Sequence, residues 1–129
     1  METVLKICSE DLIDKVLTAA TNVHAILGPG LLESVYESAL AIELDEMGIK
    51  YHRQVEVPAL YKGHDLGVGF RADVIVEDSL LLELKSVEKI TDIHLAKIIT
   101  YLKLLKFKRG FFLNFNCIKM KDGIKRISI

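Results

Sequence analysis

Three charged residues interrupt two otherwise apolar segments near the middle of the chain. Asp73 precedes an apolar run at residues 74–76, and nine residues separate it from Glu83, which is followed two residues later by Lys85. Charges inside apolar strands are costly unless they are paired or bind a metal. Two adjacent carboxylates repel each other, and a divalent cation relieves that repulsion. A nearby lysine can orient or activate a water, or stabilise a developing negative charge.

The same pattern also has a purely structural interpretation. Asp or Glu followed two residues later by Lys is common on the solvated face of a strand. A solvated face should, however, show more polar positions than this one does. The apolar surroundings therefore favour a functional cluster over a solvated face.

Two strands joined by a tight turn at residues 77–79 must position these side chains. Because side chains alternate along a strand, Glu83 and Lys85 share one face, and Asp73 can lie beside them if the register allows it. We therefore expect the three residues to form one cluster at a concave edge of the sheet. The pKa of both carboxyls should be raised without metal, because like charges share the site.

The rest of the chain predicts alternating helices and strands around this hairpin. Ser9 can cap a first helix that ends at Gly28-Pro29-Gly30, and a second helix is predicted over residues 31–47. Strands are predicted at residues 51–61, 66–76 and 80–87, a third helix at 91–106, and strands at 110–115 and 123–129. This order predicts one α/β domain spanning residues 1–129, with helices packed on a mixed central sheet.

Several motifs resemble one nuclease superfamily. The spacing Asp73-x9-Glu83-x-Lys85 resembles the PD-(D/E)XK signature, and Gly30-x-x-Glu33-x-x-Tyr36 resembles the Gly-x-x-Glu-x-x-Tyr motif that names one family within that superfamily. Further similar blocks lie at residues 70–73, 82–88, 94, 101–104 and 122–126, so the resemblance covers the chain from about residue 20 to the end. It implies a restriction-endonuclease-like core with the order ααβββαββ.

The resemblance also implies a function and a set of roles. The chain would be a metal-dependent phosphodiesterase that acts on DNA, in which Asp73 and Glu83 bind Mg²⁺ or Mn²⁺. The Leu84 carbonyl and Glu33 would complete the metal shell, and Lys85 would orient or deprotonate the attacking water. Taken without the resemblance, Glu33 is a carboxylate that the dipole of the second helix favours at its N-terminus.

Three supporting residues follow from the same resemblance. Tyr36 would pack or hydrogen-bond beneath the site, and Tyr101 would line it from the third helix. Lys97 stands where the family has Gln. Lys97 could contact the scissile phosphate, replace a lost metal contact, or mark weakened catalysis.

The net charge of −1 hides an uneven distribution. Residues 1–84 carry six Lys or Arg against fifteen Asp or Glu, whereas residues 85–129 carry eleven against three. A basic half can bind phosphates even when the total charge is neutral. The candidates for binding the phosphate backbone are Arg71, Lys89, Lys103, Lys106, Lys108 and Arg109. The alternative is that these are solvated side chains on helix surfaces.

The remaining expectations concern compartment and assembly. No apolar run approaches the roughly 18 residues of a membrane span, and the start does not resemble a signal peptide. Cys8 and Cys117 lack metal-type spacing. A cytoplasmic protein with reduced thiols is therefore expected. A homodimer is expected, because the two strands of a duplex are themselves related by two-fold symmetry. The rival functions are a non-catalytic nucleic-acid-binding module and a dimeric assembly or accessory protein with the same fold.

Overall fold

The computed structural model describes residues 4–129, which form three helices and one five-stranded sheet. The elements are α1 (Glu10–Leu27), α2 (Glu33–Glu46), β1 (Tyr51–Tyr61), β2 (His64–Val76), β3 (Leu80–Lys85), α3 (Asp92–Leu105), β4 (Arg109–Asn114) and β5 (Ile124–Ser128), with a 3-10 helix at Met120–Gly123. The predicted α/β fold and its order ααβββαββ are confirmed.

The sheet is mixed, with strand order β1-β2-β3-β4-β5. The first three strands form an antiparallel meander, β4 runs parallel to β3, and β5 returns antiparallel to β4. Helix α3 supplies the connection between the two parallel strands, because strands that run in the same direction need a long crossover.

Two hydrophobic cores lie on opposite faces of the sheet. Helices α1 and α2 cover one face, where Tyr36 and Leu40 pack against alternate residues of β3 and β4 such as Leu82 and Phe111. Helix α3 covers the other face through Ile98 and Leu102. Because strand side chains alternate, a fully covered strand reads as continuously apolar, which explains the sequence of β3.

Two local features show how the sequence sets the ends of these elements. Ser9 caps α1 as expected, since its hydroxyl oxygen accepts the Leu12 N–H at 3.0 Å. Strand β3 ends at Lys85 rather than at Val87 as predicted. The reason is Asn114, whose side-chain amide accepts the Val87 N–H at 3.1 Å and donates to its carbonyl at 2.9 Å. A side chain thus replaces the strand ladder there.

No helix within residues 4–129 combines the length and the apolar character needed to cross a membrane. The two cysteines, Cys8 and Cys117, are both free.

Candidate active site

The structure brings Asp73 and Glu83 side by side on neighbouring strands. Val74 pairs with Leu82 in the antiparallel ladder, so Asp73 and Glu83 occupy the next opposed position. The Asp73 N–H points to the Glu83 Oε1 atom at 3.4 Å, and the Leu84 N–H donates to the Asp73 Oδ2 atom at 2.9 Å. Glu83 is only 6% exposed, which is rare for a carboxylate without a partner.

A break in the side-chain alternation occurs at Asp73. Ala72 packs in the core beneath α3, whereas Val74, two residues later, packs in the core beneath α1 and α2. On β1, the residue between the two flanking ladder pairs is Gln54, which has a positive φ of 51°. A left-handed backbone at a non-glycine residue costs about 1–3 kcal/mol and persists only where its surroundings impose it.

Glu37 on α2 imposes this conformation. Its carboxylate accepts hydrogen bonds from Gln54 Nε2 at 2.6 Å and from Arg53 Nε at 3.0 Å. Glu37 is buried, so these charge-assisted contacts are well shielded from solvent. The clamp between α2 and β1 therefore holds the strand pair in the shape that presents Asp73 beside Glu83.

Burial dominates the electrostatics of the pair, and the charge of Lys85, which lowers the pKa of both carboxyls, only partly offsets it. Burial, and secondly the charge of Asp73, raises the pKa of Glu83 to about 8. Burial also raises the pKa of Asp73, with the Leu84 N–H opposing the shift and the charge of Glu37 adding to it. Like charge was the expected cause, but desolvation is the larger one. Among residues 4–129, no salt bridge reaches either carboxylate.

Two small cavities adjoin the pair and differ in charge. The first, which we call the basic cavity, has a volume of about 140 Å³ and is lined by Glu83, Lys85, His94, Lys97, Tyr101 and Phe112. The second, the acidic cavity, has a volume of about 210 Å³ and is lined by Glu33, Ser34, Glu37, Gln54, Asp73 and Leu84. The carboxylate pair thus stands between a space suited to an anion and a space suited to a cation.

Larger depressions exist but lack such chemistry. One of about 540 Å³ is formed by Asp45 and residues 48–52, and Asp45 accepts a hydrogen bond from the Tyr51 hydroxyl there. Because no buried unpaired charge lines it, the smaller cavities beside Asp73 and Glu83 are the better candidates for an active site.

The side chains of the basic cavity come from β3, β4 and α3. Lys85 is half-buried and Lys97 is exposed. Tyr101 stacks on Phe70 with ring centroids 3.9 Å apart. Burial, and then the charges of Glu83 and Asp73, raises the pKa of the Tyr101 hydroxyl, which therefore remains a hydrogen-bond donor at neutral pH.

Glu33 lies at the acidic cavity, whereas Tyr36 lies in the hydrophobic core. The Glu33 Oε2 atom accepts the Ser86 N–H at 3.0 Å, so Glu33 anchors the segment that follows β3 while it lines the acidic cavity. Tyr36 lies in the core rather than at the carboxylates. Its hydroxyl donates to the Gly28 carbonyl at 2.6 Å and accepts the Leu31 N–H at 3.1 Å, which fixes the α1–α2 loop.

The metal shell expected from the sequence is only partly assembled. Within residues 4–129, no three Asp, Glu, His or Cys side chains form a group that could hold a metal ion. Glu33 lines the acidic cavity together with Asp73, while its Oε2 atom accepts the Ser86 N–H. A pair of buried carboxylates nevertheless fits Mg²⁺, which binds through one or two carboxylates together with water and substrate phosphate rather than in an all-protein cage.

The structure separates the expected phosphate-binding residues into two groups. Lys89 is exposed in the segment between β3 and α3, and Arg71 is exposed on β2 but contacts Glu56 at 3.3 Å. The others, Lys103, Lys106, Lys108 and Arg109, lie at the end of α3 and the start of β4. Because Arg109 pairs with Leu80 and Phe112 pairs with Glu83, Arg109 lies three residues, roughly 10 Å, along the strands from Glu83. None of the four lines either cavity beside the carboxylates.

Sequence reasoning gave no role to four residues that shape the site, Glu37, Gln54, His94 and Asn114, although residue 94 was among the blocks similar to the superfamily. One signal was present for Glu37, which follows Glu33 by one helical turn and so shares its face of α2. His94 had a weaker one, since it occupies the third helical position after Thr91, where capping side chains reach back. Nothing in the sequence marks Gln54 for a left-handed backbone or Asn114 for its contact with Val87.

The comparisons with known proteins give one result. The model of a protein family described as the PD-(D/E)XK nuclease superfamily matches residues 10–127. No curated protein matches the chain, and no solved structure does.

Proposed function

The chain belongs to the PD-(D/E)XK nuclease superfamily, and from this premise we propose that it is a metal-dependent nuclease that hydrolyses phosphodiester bonds in DNA. One observation carries the proposal: Asp73 and Glu83 are a half-buried and a buried carboxylate in contact, which no salt bridge within residues 4–129 reaches, beside a cavity lined by Lys85 and Lys97. Such a site is costly for the folded protein unless a cation and an anionic substrate complete it.

We propose that Asp73 and Glu83 hold Mg²⁺ or Mn²⁺, with the Leu84 carbonyl as a further ligand. When bound, the ion lowers the pKa of a coordinated water and stabilises negative charge on the phosphate. The raised pKa of Glu83 supports this assignment, because the group that now favours a proton would favour a divalent cation instead. Glu33 remains an acidic neighbour in the acidic cavity rather than a direct ligand.

The reaction that these residues would carry is the hydrolysis of one P–O ester bond. The water oxygen forms a bond to phosphorus while the bond to the leaving sugar oxygen breaks. The proton lost by the water is balanced by one gained from solvent at the leaving oxygen. Lys85, on the same strand face as Glu83, would orient the water and stabilise charge in the reacting state, while Lys97 and Tyr101 would contact phosphate oxygens.

A cleavage assay with matched variants tests the proposal. Single-stranded DNA, duplex DNA and RNA are each incubated with Mn²⁺ and the parent protein, Asp73→Asn, Glu83→Gln or Glu46→Gln. Glu46 is exposed at the end of α2, so its variant removes a carboxylate of the same type from an unrelated place. We expect DNA cleavage by the parent and Glu46→Gln, and a loss of at least about 100-fold in the two site variants. Cleavage of RNA alone would correct the substrate, and equal cleavage by all variants would overturn the site.

A second candidate function is a nucleic-acid-binding module that does not cleave. The position of Lys97 in the same cavity as Glu83 favours it, because an ammonium group there could take the place of the cation. The variant Lys97→Gln distinguishes the binding module from the nuclease. In a binding module this variant gains Mn²⁺-dependent stabilisation that the parent lacks, whereas in a nuclease the parent already shows it.

We also propose that the chain belongs to the Gly-x-x-Glu-x-x-Tyr family within the superfamily. The contacts made by that motif support this assignment, since Glu33 binds the segment after β3 and Tyr36 fixes the loop that contains Gly30. The motif would then act by tying the α1–α2 loop to the end of β3.

We further propose a homodimer. Beyond the short strand β3, the β1–β2 hairpin extends further and exposes four large apolar side chains, Leu60, Tyr61, Leu66 and Val68. Exposed apolar patches on this scale are common at protein interfaces. A monomeric mass in sedimentation at micromolar concentration would contradict the proposal, and would also remove the dimeric assembly protein as an alternative function.

A further inference from the structure

His94 is a side chain of the basic cavity to which the proposed function gives no role. It lies in the first turn of α3 and faces the same cavity as Glu83 and Lys85. Its ring lies against Phe112, with centroids 6.1 Å apart at an angle of 55°. The residue is half-buried and makes no salt bridge with any carboxylate within residues 4–129.

One hydrogen bond defines which ring nitrogen of His94 carries the hydrogen. The Nδ1 atom accepts the backbone N–H of Thr91 at 3.0 Å. A backbone N–H can only donate, so Nδ1 must present its lone pair, and the neutral ring then carries its hydrogen on Nε2. His94 therefore offers the cavity one hydrogen-bond donor from a ring whose orientation is held by α3, by Thr91 and by Phe112.

Hydrolysis of a phosphodiester develops negative charge on the oxygens of the scissile phosphate, and a hydrogen-bond donor of this kind can stabilise that charge. The two lysines of the cavity supply positive charge on flexible stems, whereas the imidazole supplies a donor with a fixed direction. Donors that are in position before the reaction stabilise the transition state without reorganisation. We propose that His94 is a further catalytic residue, whose Nε2–H donates a hydrogen bond to a non-bridging oxygen of the scissile phosphate. This inference rests on the proposed nuclease function.

Two simpler roles for His94 explain less. Capping the start of α3 needs an acceptor only, and Glu or Gln serve that purpose at this helical position; capping does not explain why the ring lines a cavity together with Glu83 and Lys85. Binding a metal would need further ligands, and within residues 4–129 no three-residue group of ligands includes His94. Lys85 and Lys97 beside it would also repel a cation.

Three variants separate the donor from the cap. His94→Gln keeps an acceptor for Thr91 and an amide donor, whereas His94→Ala removes both. Thr91→Ala keeps the backbone N–H and therefore the ring contact, but weakens the start of the helix. We expect His94→Ala to lose about 100-fold in cleavage rate with DNA affinity unchanged. We expect His94→Gln to retain most of the activity, and Thr91→Ala to match the parent well below its unfolding temperature.

A sulfur substitution gives a measurement that a structural role would not change. In DNA with one non-bridging phosphate oxygen replaced by sulfur, the hydrogen bond from Nε2 weakens in one diastereomer only. With Mn²⁺, which tolerates sulfur better than Mg²⁺ does, the metal contributes little to this difference. The parent should therefore distinguish the two diastereomers more strongly than His94→Ala does. Equal discrimination by both proteins would overturn the inference.

An NMR measurement separates failure of this inference from failure of the nuclease function. The ring nitrogens of His94 are observed while a short DNA duplex is added with Ca²⁺, which is used to avoid cleavage, and Nε2 should shift while Nδ1 stays. If the parent cleaves DNA but Nε2 does not respond and His94→Ala is fully active, only this inference is wrong. If the parent cleaves nothing, the catalytic role is wrong together with the nuclease function; a shift of Nε2 would then identify His94 as a binding contact alone.

Discussion

Charged side chains have different surroundings at the two ends of the sheet. At the end where β3 stops, the half-buried Asp73 and the buried Glu83 lie in contact with each other, and no salt bridge within residues 4–129 reaches them. At the end where β3 begins, two pairs of exposed charged groups bind each other. Glu10 binds Arg126 through two contacts of 2.6 and 3.1 Å, and Lys6 binds Asp78 in the turn between β2 and β3.

This difference distinguishes charged side chains that pair with each other in the folded chain from carboxylates that are available to bind a ligand. Exposed pairs are inexpensive to form and contribute little to stability. A buried unpaired carboxylate, in contrast, is a liability that a folded chain keeps only where another group completes it. The comparison therefore assigns binding and chemistry to the carboxylate end, and each experiment below would sharpen or break that assignment.

The largest effect should come from Lys85→Ala. Lys85 lines the basic cavity beside Glu83, and its contribution belongs to the reacting state, so we expect the cleavage rate to fall about 10²–10³-fold while DNA affinity changes little. Cleavage rate and DNA affinity are measured on the same duplex with Mn²⁺.

The matched control is Lys106→Ala, at the other end of the sheet. Lys106 is exposed just after α3, so its removal should leave the cleavage rate unchanged and affect affinity at most. If Lys106→Ala lost cleavage while Lys85→Ala kept it, the two ends would have to exchange roles.

The pH dependence of stability should show the unpaired carboxylates directly. The pKa of Glu83 is raised to about 8, so between its ordinary pKa near 4.5 and pH 8 the folded chain binds more protons than the unfolded chain. Stability without metal should therefore fall as the pH rises through this window and level off above it, by on the order of a few kcal/mol. Asp73 contributes in the same direction.

Glu83→Gln isolates this contribution, because the amide cannot ionise. Denaturant unfolding of parent and variant is compared from pH 4.5 to 9 without metal. The variant should show a flatter profile, so that its stability relative to the parent rises with pH. Parallel profiles for the two proteins would mean that Glu83 ionises as it does in the unfolded chain.

Metal ions should stabilise the carboxylate end alone. At a Mn²⁺ concentration 100 times the dissociation constant, binding adds about 2.7 kcal/mol to the free energy of unfolding. We expect this stabilisation in the parent and in Glu10→Gln, and its loss in Asp73→Asn. Thermal unfolding with and without Mn²⁺ measures it, and stabilisation that survives in Asp73→Asn would locate the ion elsewhere.

Much of the fold was predictable because the ends of its helices and strands are set by residues close to them in sequence. Gly28-Pro29-Gly30 ends α1, and alternating or continuously apolar segments between polar turns define the strands. The closeness of Asp73 and Glu83 followed from the hairpin, since a short turn at residues 77–79 determines the register of β2 against β3. Element ends and hairpin register, which depend on residues close together in sequence, could therefore be predicted.

The direction of the chain in space was less accessible from the sequence. The charge distribution marked the lysines after residue 100 as candidates for binding the phosphate backbone, but it did not show where they lie. The parallel β3–α3–β4 unit carries the chain back to the start of β3, which places Lys106 and Arg109 at the end opposite Lys85. The left-handed backbone of Gln54 was equally hidden, because it results from the tertiary contact with Glu37 and not from the intrinsic preference of glutamine.

The smallest effect should come from Arg126→Gln at the paired end. Both Arg126 and Glu10 are exposed, so loss of their contact should change stability little and cleavage not at all. Because Glu10 already neutralises Arg126, the variant should also leave the salt dependence of DNA binding unchanged. A cation that touched the phosphate backbone would reduce that slope by about one when removed. Affinity measured at several salt concentrations decides the matter: a slope reduced by one would place DNA at both ends of the sheet, and the contrast between a binding end and a structural end would no longer hold.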